Sequence, residues 1–98
     1  MLDPLRRTER LLRDYGHVYR ANLAAIALDL FRRDPAAACR TINSEEWWEG
    51  SESVAATDLA VDGGFTTQAR EDAWALRQAL VEIFTTMLAL SLIHISEP

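Results

Sequence analysis

The chain has 98 residues, of which 49% are apolar and 26% charged, and its formal net charge is −5. This length fits one domain, and the composition is that of a globular chain rather than a disordered one. No uninterrupted apolar run reaches the roughly 18–20 residues that cross a bilayer, and the N-terminal MLDPLRRTER lacks the apolar stretch of a signal peptide. We therefore expect no membrane partner. Because Cys39 is the only cysteine, we also expect no internal disulfide and a reducing, cytoplasmic location.

Charge is unevenly divided along the sequence. Residues 1–40 contain eight arginines and five acids, whereas residues 41–98 contain two arginines and ten acids. An acidic half argues against nucleic-acid binding, which requires clustered cations to displace counterions. It favours a basic protein partner, because opposite potentials steer the encounter. The absence of lysine, together with abundant alanine, indicates a GC-rich bacterial gene.

The first half of the sequence predicts three helices. Asp3-Pro4 and Asp34-Pro35 each place a good N-cap residue before a proline that suits the first helical position. Gly16 ends the first helix, because glycine adopts the left-handed backbone of a C-terminal stop without a Cβ penalty. Apolar residues spaced by three and four identify the second. We expect these helices to cover residues 4–16, 18–32 and 35–41.

Residues 43–66 interrupt the helical pattern. Residues 62–64 (DGG) indicate a turn, and residues 54–61 form either a short helix or an extended piece. Thr66 is a suitable N-cap for a final helix whose apolar face contains Ala69, Ala73, Leu76, Leu80, Ile83, Phe84, Met87 and Leu88. The pattern predicts an all-α fold, a small antiparallel bundle of three to four helices with an irregular segment rich in glycine, tryptophan and acids before the last helix.

The same periodicity predicts the hydrophobic core. Residues 5–31 should form a helical hairpin, and the last helix should pack across it. We expect the following side chains to be mostly buried and in mutual contact: Leu12, Leu23, Ile26, Leu30, Phe31, Leu76, Leu80, Ile83 and Phe84.

The last nine residues, LSLIHISEP, keep neither the period nor the composition of the helix before them. Their first six codons can be written CTG TCT CTT ATA CAC ATC, which resembles the transposon end used in short-read sequencing, and the next three fit the adapter that follows. Segments added by laboratory handling are set aside before the fold is considered. We therefore expect one native helical domain over residues 1–89, truncated at its C-terminus, and a non-native tail over residues 90–98.

The sequence offers little material for catalysis. His17 and Cys39 have no partners at metal-ligand spacing, so we expect His17 in a turn and Cys39 in the core. Ser51 and Ser53 lack the context of a nucleophile elbow, and residues 63–64 lack the lysine and hydroxyl of a phosphate-binding loop. The arginines of the first helix alternate with acids at helical spacing, which is typical of a solvated, ion-paired face. We expect no enzyme, no cofactor and no metal.

One segment remains as a candidate binding site, residues 45–52 (EEWWEGSE), called the acidic segment below. Two adjacent tryptophans of a helix cannot both point into one core, and tryptophan is enriched at binding hot spots. The hypothesis is that a basic partner contacts Glu45, Glu46, Trp47, Trp48, Glu49 and Glu52. The simpler interpretation is that one tryptophan anchors the loop to the hairpin while the acids confer solubility. An alternative uses Glu45, Glu46, Glu49 and Asp58 in a small-molecule-binding or hydrolytic domain.

Two short motifs carry a resemblance. Residues 11–16 (LLRDYG), followed by residues 47–54 (WWEGSESV), resemble motifs of a group of small uncharacterised bacterial helical proteins, and the likeness spans most of residues 9–89. Glu49 and Glu52 depart from it, because they stand where that group has small residues. The resemblance implies a helical fold without catalytic residues. Some small acidic proteins of this kind resemble immunity proteins that mask a toxin, which is an analogy at the level of the fold.

Overall fold

The computed structural model describes residues 1–59 and 66–96, the side chains of residues 91–96 excepted. The predicted turn at residues 62–64 and the end of the 54–61 piece lie outside this part. The described residues contain no strand and form α1 (Leu2–Asp14), α2 (Val18–Arg33), α3 (Pro35–Ile42), α4 (Glu45–Trp48) and α5 (Thr67–Ser96). The predicted all-α fold is confirmed.

The N-cap residues were predicted correctly at two of three positions. The Asp34 side chain accepts a hydrogen bond from the Ala37 amide at 3.3 Å, and Thr66 Oγ1 accepts one from the Ala69 amide at 3.0 Å. The prediction for Asp3 is wrong, because α1 already begins at Leu2 and the carboxylate of Asp3 lies 3.0 Å from Arg7 Nε one turn on. The Asp3 carboxylate is thus paired with a side chain four residues on, and it does not cap backbone amides at the start of the helix.

Antiparallel α1 and α2 form the predicted hairpin, joined at Gly16. Its φ of +81° is a left-handed conformation that suits glycine, and the next amide, of His17, donates to the Leu12 carbonyl at 2.9 Å. Helix α5 packs against α1 and α3. Arg7 of α1 forms an ion pair with Glu82 of α5, and Tyr15 donates a hydrogen bond to Asp72 of α5 at 2.6 Å.

The core of α2 is made of small residues, and here the sequence prediction is partly wrong. Helix α2 buries its alanine face, comprising Ala21, Ala24, Ala27 and Leu28. Leu23, Leu30 and Phe31 are only partly buried, and Ile26 is 51% exposed. Both sets of residues recur every three and four positions, so the larger side chains suggested the wrong face. Alanines allow closer approach of helix axes, since interaxial distance depends on the side chains at the contact.

Helix α5 buries a narrower stripe than predicted. Buried in it are Ala69, Leu76, Ala79, Ile83 and Met87, while Leu80 is partly buried. Phe84 is 42% exposed, so the prediction that it belongs to the closed core is wrong. Leu12, Leu76 and Ile83 are buried as expected.

In the described part of the chain, one helix is long and apolar enough to cross a membrane by length and composition, namely α5 over Thr67–Leu90. Charged residues lie at positions 70–72, 77 and 82 of this span, so its apolar residues do not form one uninterrupted run. The core helix of a water-soluble protein has the same length and composition. Only 22% of the apolar stretch is buried, however, which leaves much of this helix face uncovered by described residues.

Candidate partner-binding site

The two adjacent tryptophans have different environments. Trp47 is fully buried, and its carbonyl accepts a hydrogen bond from the Ala55 amide at 2.8 Å. Trp48 remains partly exposed, with its ring centroid 5.9 Å from that of Trp47. Trp47 therefore anchors the acidic segment to the core, as the simpler interpretation held, and a partner cannot reach it in this conformation. Trp48 remains available at the surface.

Arg20 and His17 of the hairpin hold the chain that follows Trp48. Arg20 donates from Nη2 to the Ser51 carbonyl at 2.9 Å and from Nε to the Glu52 carbonyl at 3.1 Å. Its Nη1 lies 3.3 Å from His17 Nδ1, and His17 Nε2 lies 3.0 Å from the Asp58 carbonyl. Because a guanidinium only donates, Nδ1 accepts and the Nε2–H donates to the carbonyl. The loop is thus fixed largely through its backbone carbonyls, and Arg20 Nη2 also lies 3.8 Å from a carboxylate oxygen of Glu52.

The glutamates of the acidic segment surround a shallow hollow of about 370 Å³, lined by Glu45, Glu46, Glu49 and Glu52 together with Tyr19 and residues 50, 51 and 53. All four glutamates are exposed. The Tyr19 hydroxyl donates to a Glu46 carboxylate oxygen at 2.8 Å, and this hydrogen bond together with the nearby negative charge raises the pKa of Tyr19. The hollow therefore presents carboxylate oxygens to solvent, an arrangement that attracts cationic side chains.

Trp48 also forms one end of a larger apolar groove. Its ring meets Phe84 edge to face, with centroids 5.2 Å apart and planes at 73°. The groove has a volume of about 610 Å³ and is called the α5 groove below. It is lined by Trp48, Ala55, Thr57, Asp58, Leu59, Ala73, Leu76, Arg77, Leu80, Val81 and Phe84. Apolar side chains provide most of its surface, and Asp58 and Arg77 are its ionisable groups.

The carboxylates proposed for hydrolysis do not form one group. Glu45, Glu46 and Glu49 line the hollow, whereas Asp58 lines the α5 groove. A general acid at neutral pH needs a desolvated carboxyl, and these three glutamates are exposed. Among the described residues, no group of three or more histidine, cysteine or acidic side chains is arranged to hold a metal ion. Burial raises the pKa of the Cys39 thiol, and nearby Arg40 offsets part of this effect, so the thiol is not activated as a nucleophile.

The sequence analysis did not assign three residues to the hollow and the α5 groove. Tyr19 belongs to α2 but reaches Glu46 across the fold. Phe84 was predicted to lie in the core, and Val81 was assigned no role, yet both line the groove. An available signal was the width of the apolar face of α5. Residues 80, 81, 84 and 88 extend it beyond the stripe that one neighbouring helix can cover.

No protein-family model matches this chain, and neither the curated proteins nor the solved structures gave a match. The resemblance of residues 11–16 and 47–54 to small bacterial helical proteins therefore stays a prediction, as does the interpretation of residues 90–98 as a non-native tail.

Proposed function

We propose that this chain is a non-enzymatic domain that binds a basic protein through the acidic segment. The observation that carries the proposal is the division of roles within that segment. Trp47 and the Arg20 hydrogen bonds fix its backbone, while four glutamates and part of Trp48 stay exposed. A preorganised loop binds at a lower entropic cost than a mobile one. An aromatic side chain bordered by charges matches the composition of interface hot spots.

Electrostatics favour the same kind of partner. Residues 45–59 contain five acids and no basic residue. Such a surface attracts cationic proteins and repels nucleic acids and other anions. In its sharpest form, the proposal is an immunity- or antitoxin-like protein that covers a basic surface of a toxin, an analogy supported by the charge of the acidic segment.

Charge reversal of the acidic segment tests this proposal. The unmodified chain and a variant with Glu45, Glu46 and Glu49 changed to lysine are immobilised, and proteins retained only by the former are identified. Association rates of a purified partner are then measured at rising salt. We expect the variant to associate at least tenfold more slowly. Salt should slow the unmodified protein as well, because exposed charges are screened over about 8 Å at physiological ionic strength.

A second variant controls for net charge. Asp3, Asp14 and Asp29 are exposed acids of α1 and α2 outside the acidic segment, and changing them to lysine alters the total charge equally. This variant should retain most of the association rate. Equal rates for all three proteins, or equal loss in both variants, would contradict a binding site at the acidic segment.

The α5 groove supports a second candidate, the binding of a small apolar molecule. Its volume of about 610 Å³ lies within the range of ligand pockets, roughly 300–1,000 Å³. Arg77 at its wall would pair with a carboxylate of such a ligand. Titration with a fluorescent fatty acid analogue separates the candidates. Saturable one-to-one binding that is lost in Arg77→Gln would favour the small-molecule function, and absence of binding would leave the protein-binding function as the better supported one.

A further inference from the structure

Helix α5 presents an apolar seam that no described residue covers. Trp74, Val81 and Leu88 are 63%, 56% and 47% exposed and follow one another at intervals of seven residues. Phe84, between the last two and 42% exposed, belongs to the same face. Apolar residues at this spacing form the contact line of packed helices. The seam therefore matches the surface that a helix, rather than a flat or irregular partner, would contact.

The dimensions of the seam set the size of its occupant. The α5 residues that line the groove run from Ala73 to Phe84, and the exposed seam continues to Leu88. At about 1.5 Å per residue, these spans correspond to roughly 16 and 22 Å. An occupying helix would need three to four turns to cover them.

Charge complementarity selects between possible occupants. One wall of the groove, residues 48–59, belongs to the stretch between residues 45 and 59 that has five acids and no base. Of these acids only Asp58 lines the groove itself, as does Arg77 of α5, and the four glutamates line the neighbouring hollow. A second copy of this chain carries the same net charge of −5 and would bring acidic walls together. An anionic membrane would be repelled by the same glutamates. A helix with cationic flanks avoids both penalties.

We infer that the α5 groove binds one amphipathic helix of a basic partner protein, with apolar residues at positions i, i+3 or i+4, and i+7 packed on Val81 and Phe84. The arginines or lysines beside that apolar stripe face the glutamates next to Trp48. Helix-in-groove recognition of this type gains affinity from the apolar anchors and orientation from the flanking charges. This inference rests on the proposed function and names the structural element of the partner.

A designed peptide tests the inference without knowledge of the partner. The probe is an 18-residue amphipathic helix with leucines at i, i+3, i+4 and i+7 and arginines on both flanks, labelled for fluorescence anisotropy. Two controls share its length: one replaces the arginines with glutamates, and one shuffles the same residues to destroy the periodicity. We expect the arginine peptide to bind at least tenfold more tightly than either control.

Matched variants of the protein locate the site. Val81→Arg places a cation on the groove wall, and Ile26→Arg makes the same change at a similarly exposed aliphatic residue of α2 that does not line the groove. Both sites are more than half exposed, so circular dichroism should show intact helices in both variants. Val81→Arg should weaken peptide binding at least tenfold, and Ile26→Arg should leave it within twofold.

Several results would overturn the inference. Equal affinity of Val81→Arg and Ile26→Arg for the peptide would exclude the groove, and a dimer by light scattering that Val81→Arg dissociates would assign the seam to a second copy. If phosphatidylcholine vesicles bind the protein and compete with the peptide, the seam is assigned to a lipid surface. If the glutamate reversals abolish binding of a purified partner while Val81→Arg does not, the groove inference fails and the proposed function stands. If neither change affects that partner, both fail.

Discussion

Truncation of Trp47 should be among the most destabilising single changes in this chain. Its side chain is the largest that is fully buried, and it connects the acidic segment to the helical core. Removing a buried tryptophan costs about 3–5 kcal/mol, since both transfer energy and cavity formation contribute. A domain of this size has a free energy of unfolding of about 5–15 kcal/mol, so Trp47→Ala would remove between one fifth and all of it.

Urea unfolding followed by far-UV circular dichroism measures this change without the ambiguity of fluorescence from three tryptophans. With a slope of about 1.5 kcal/mol/M, the midpoint should fall by about 2–3 M. Trp74→Ala, at a side chain that is 63% exposed, is the matched control and should cost less than about 0.5 kcal/mol. If Trp47→Ala and Trp74→Ala shift the midpoint equally, Trp47 does not anchor the segment and the assignment of its role is wrong.

A comparison of Trp47→Phe with Trp47→Ala extends this reasoning to the indole nitrogen. Within the described part of the chain, the buried Nε1 has no hydrogen-bond partner. A buried donor without a partner costs about 1–3 kcal/mol. Trp47→Phe removes that donor while keeping much of the ring volume, so we expect it to cost less than half as much as Trp47→Ala in the same urea titration.

Four further changes test other parts of the fold. The hydrogen bond to Asp72 raises the pKa of Tyr15 to about 12. The protonated phenol therefore stabilises the fold fully below about pH 10, and this contribution is lost as the pH rises toward 12. Tyr15→Phe lacks the titrating group, so its unfolding free energy should fall less over that range. Arg20→Met removes two hydrogen bonds to loop carbonyls and should cost about 1.5–3 kcal/mol in urea titrations, with Arg20→Lys recovering only part. Gly16→Ala should cost about 1 kcal/mol by thermal melting, through backbone strain alone, because a Cβ there would meet no atom within 4 Å. Deleting residues 91–98 should change Tm by less than about 4 °C, and global unfolding would contradict their assignment to a non-native tail.

The helices could be predicted from the sequence because their signals are local. Asp34 before a proline and Thr66 before an apolar periodic run mark helix starts through bonds made within one turn. Gly16 marks a helix end for an equally local reason, its left-handed backbone. The prediction failed at Asp3 because α1 begins before it, at Leu2, so Asp3 lies in the first turn, where its carboxylate pairs with Arg7. Local patterns locate a helix end only to within one or two residues.

The packing of the helices could not be predicted in the same way. In α2, the faces centred on Ala24 and Ile26 have the same period, and the packing of α1 and α3 against the helix decides which one is buried. In α5, the side chain of Phe84 sits at the edge of the apolar face, where its burial depends on Trp48 of a distant segment. The α5 groove was missed for the same reason, since it exists only between elements that are far apart in sequence.

The two tryptophans explain how an acidic loop can be both rigid and available. If Trp47 and Trp48 were both buried, the segment would be purely structural, and if both were exposed, nothing in it would hold the glutamates in place. The structure buries one ring completely and leaves the other partly exposed against Phe84.

Replacement of Trp48 by alanine should therefore lower stability far less than replacement of Trp47. The Trp48→Ala substitution should instead shorten the lifetime of a complex with the partner, because aromatic anchors act mainly on the dissociation rate. Rates of dissociation from a purified partner measure this directly. A Trp48→Ala variant that melts the domain as severely as Trp47→Ala, with no separate effect on dissociation, would return the whole segment to a structural role.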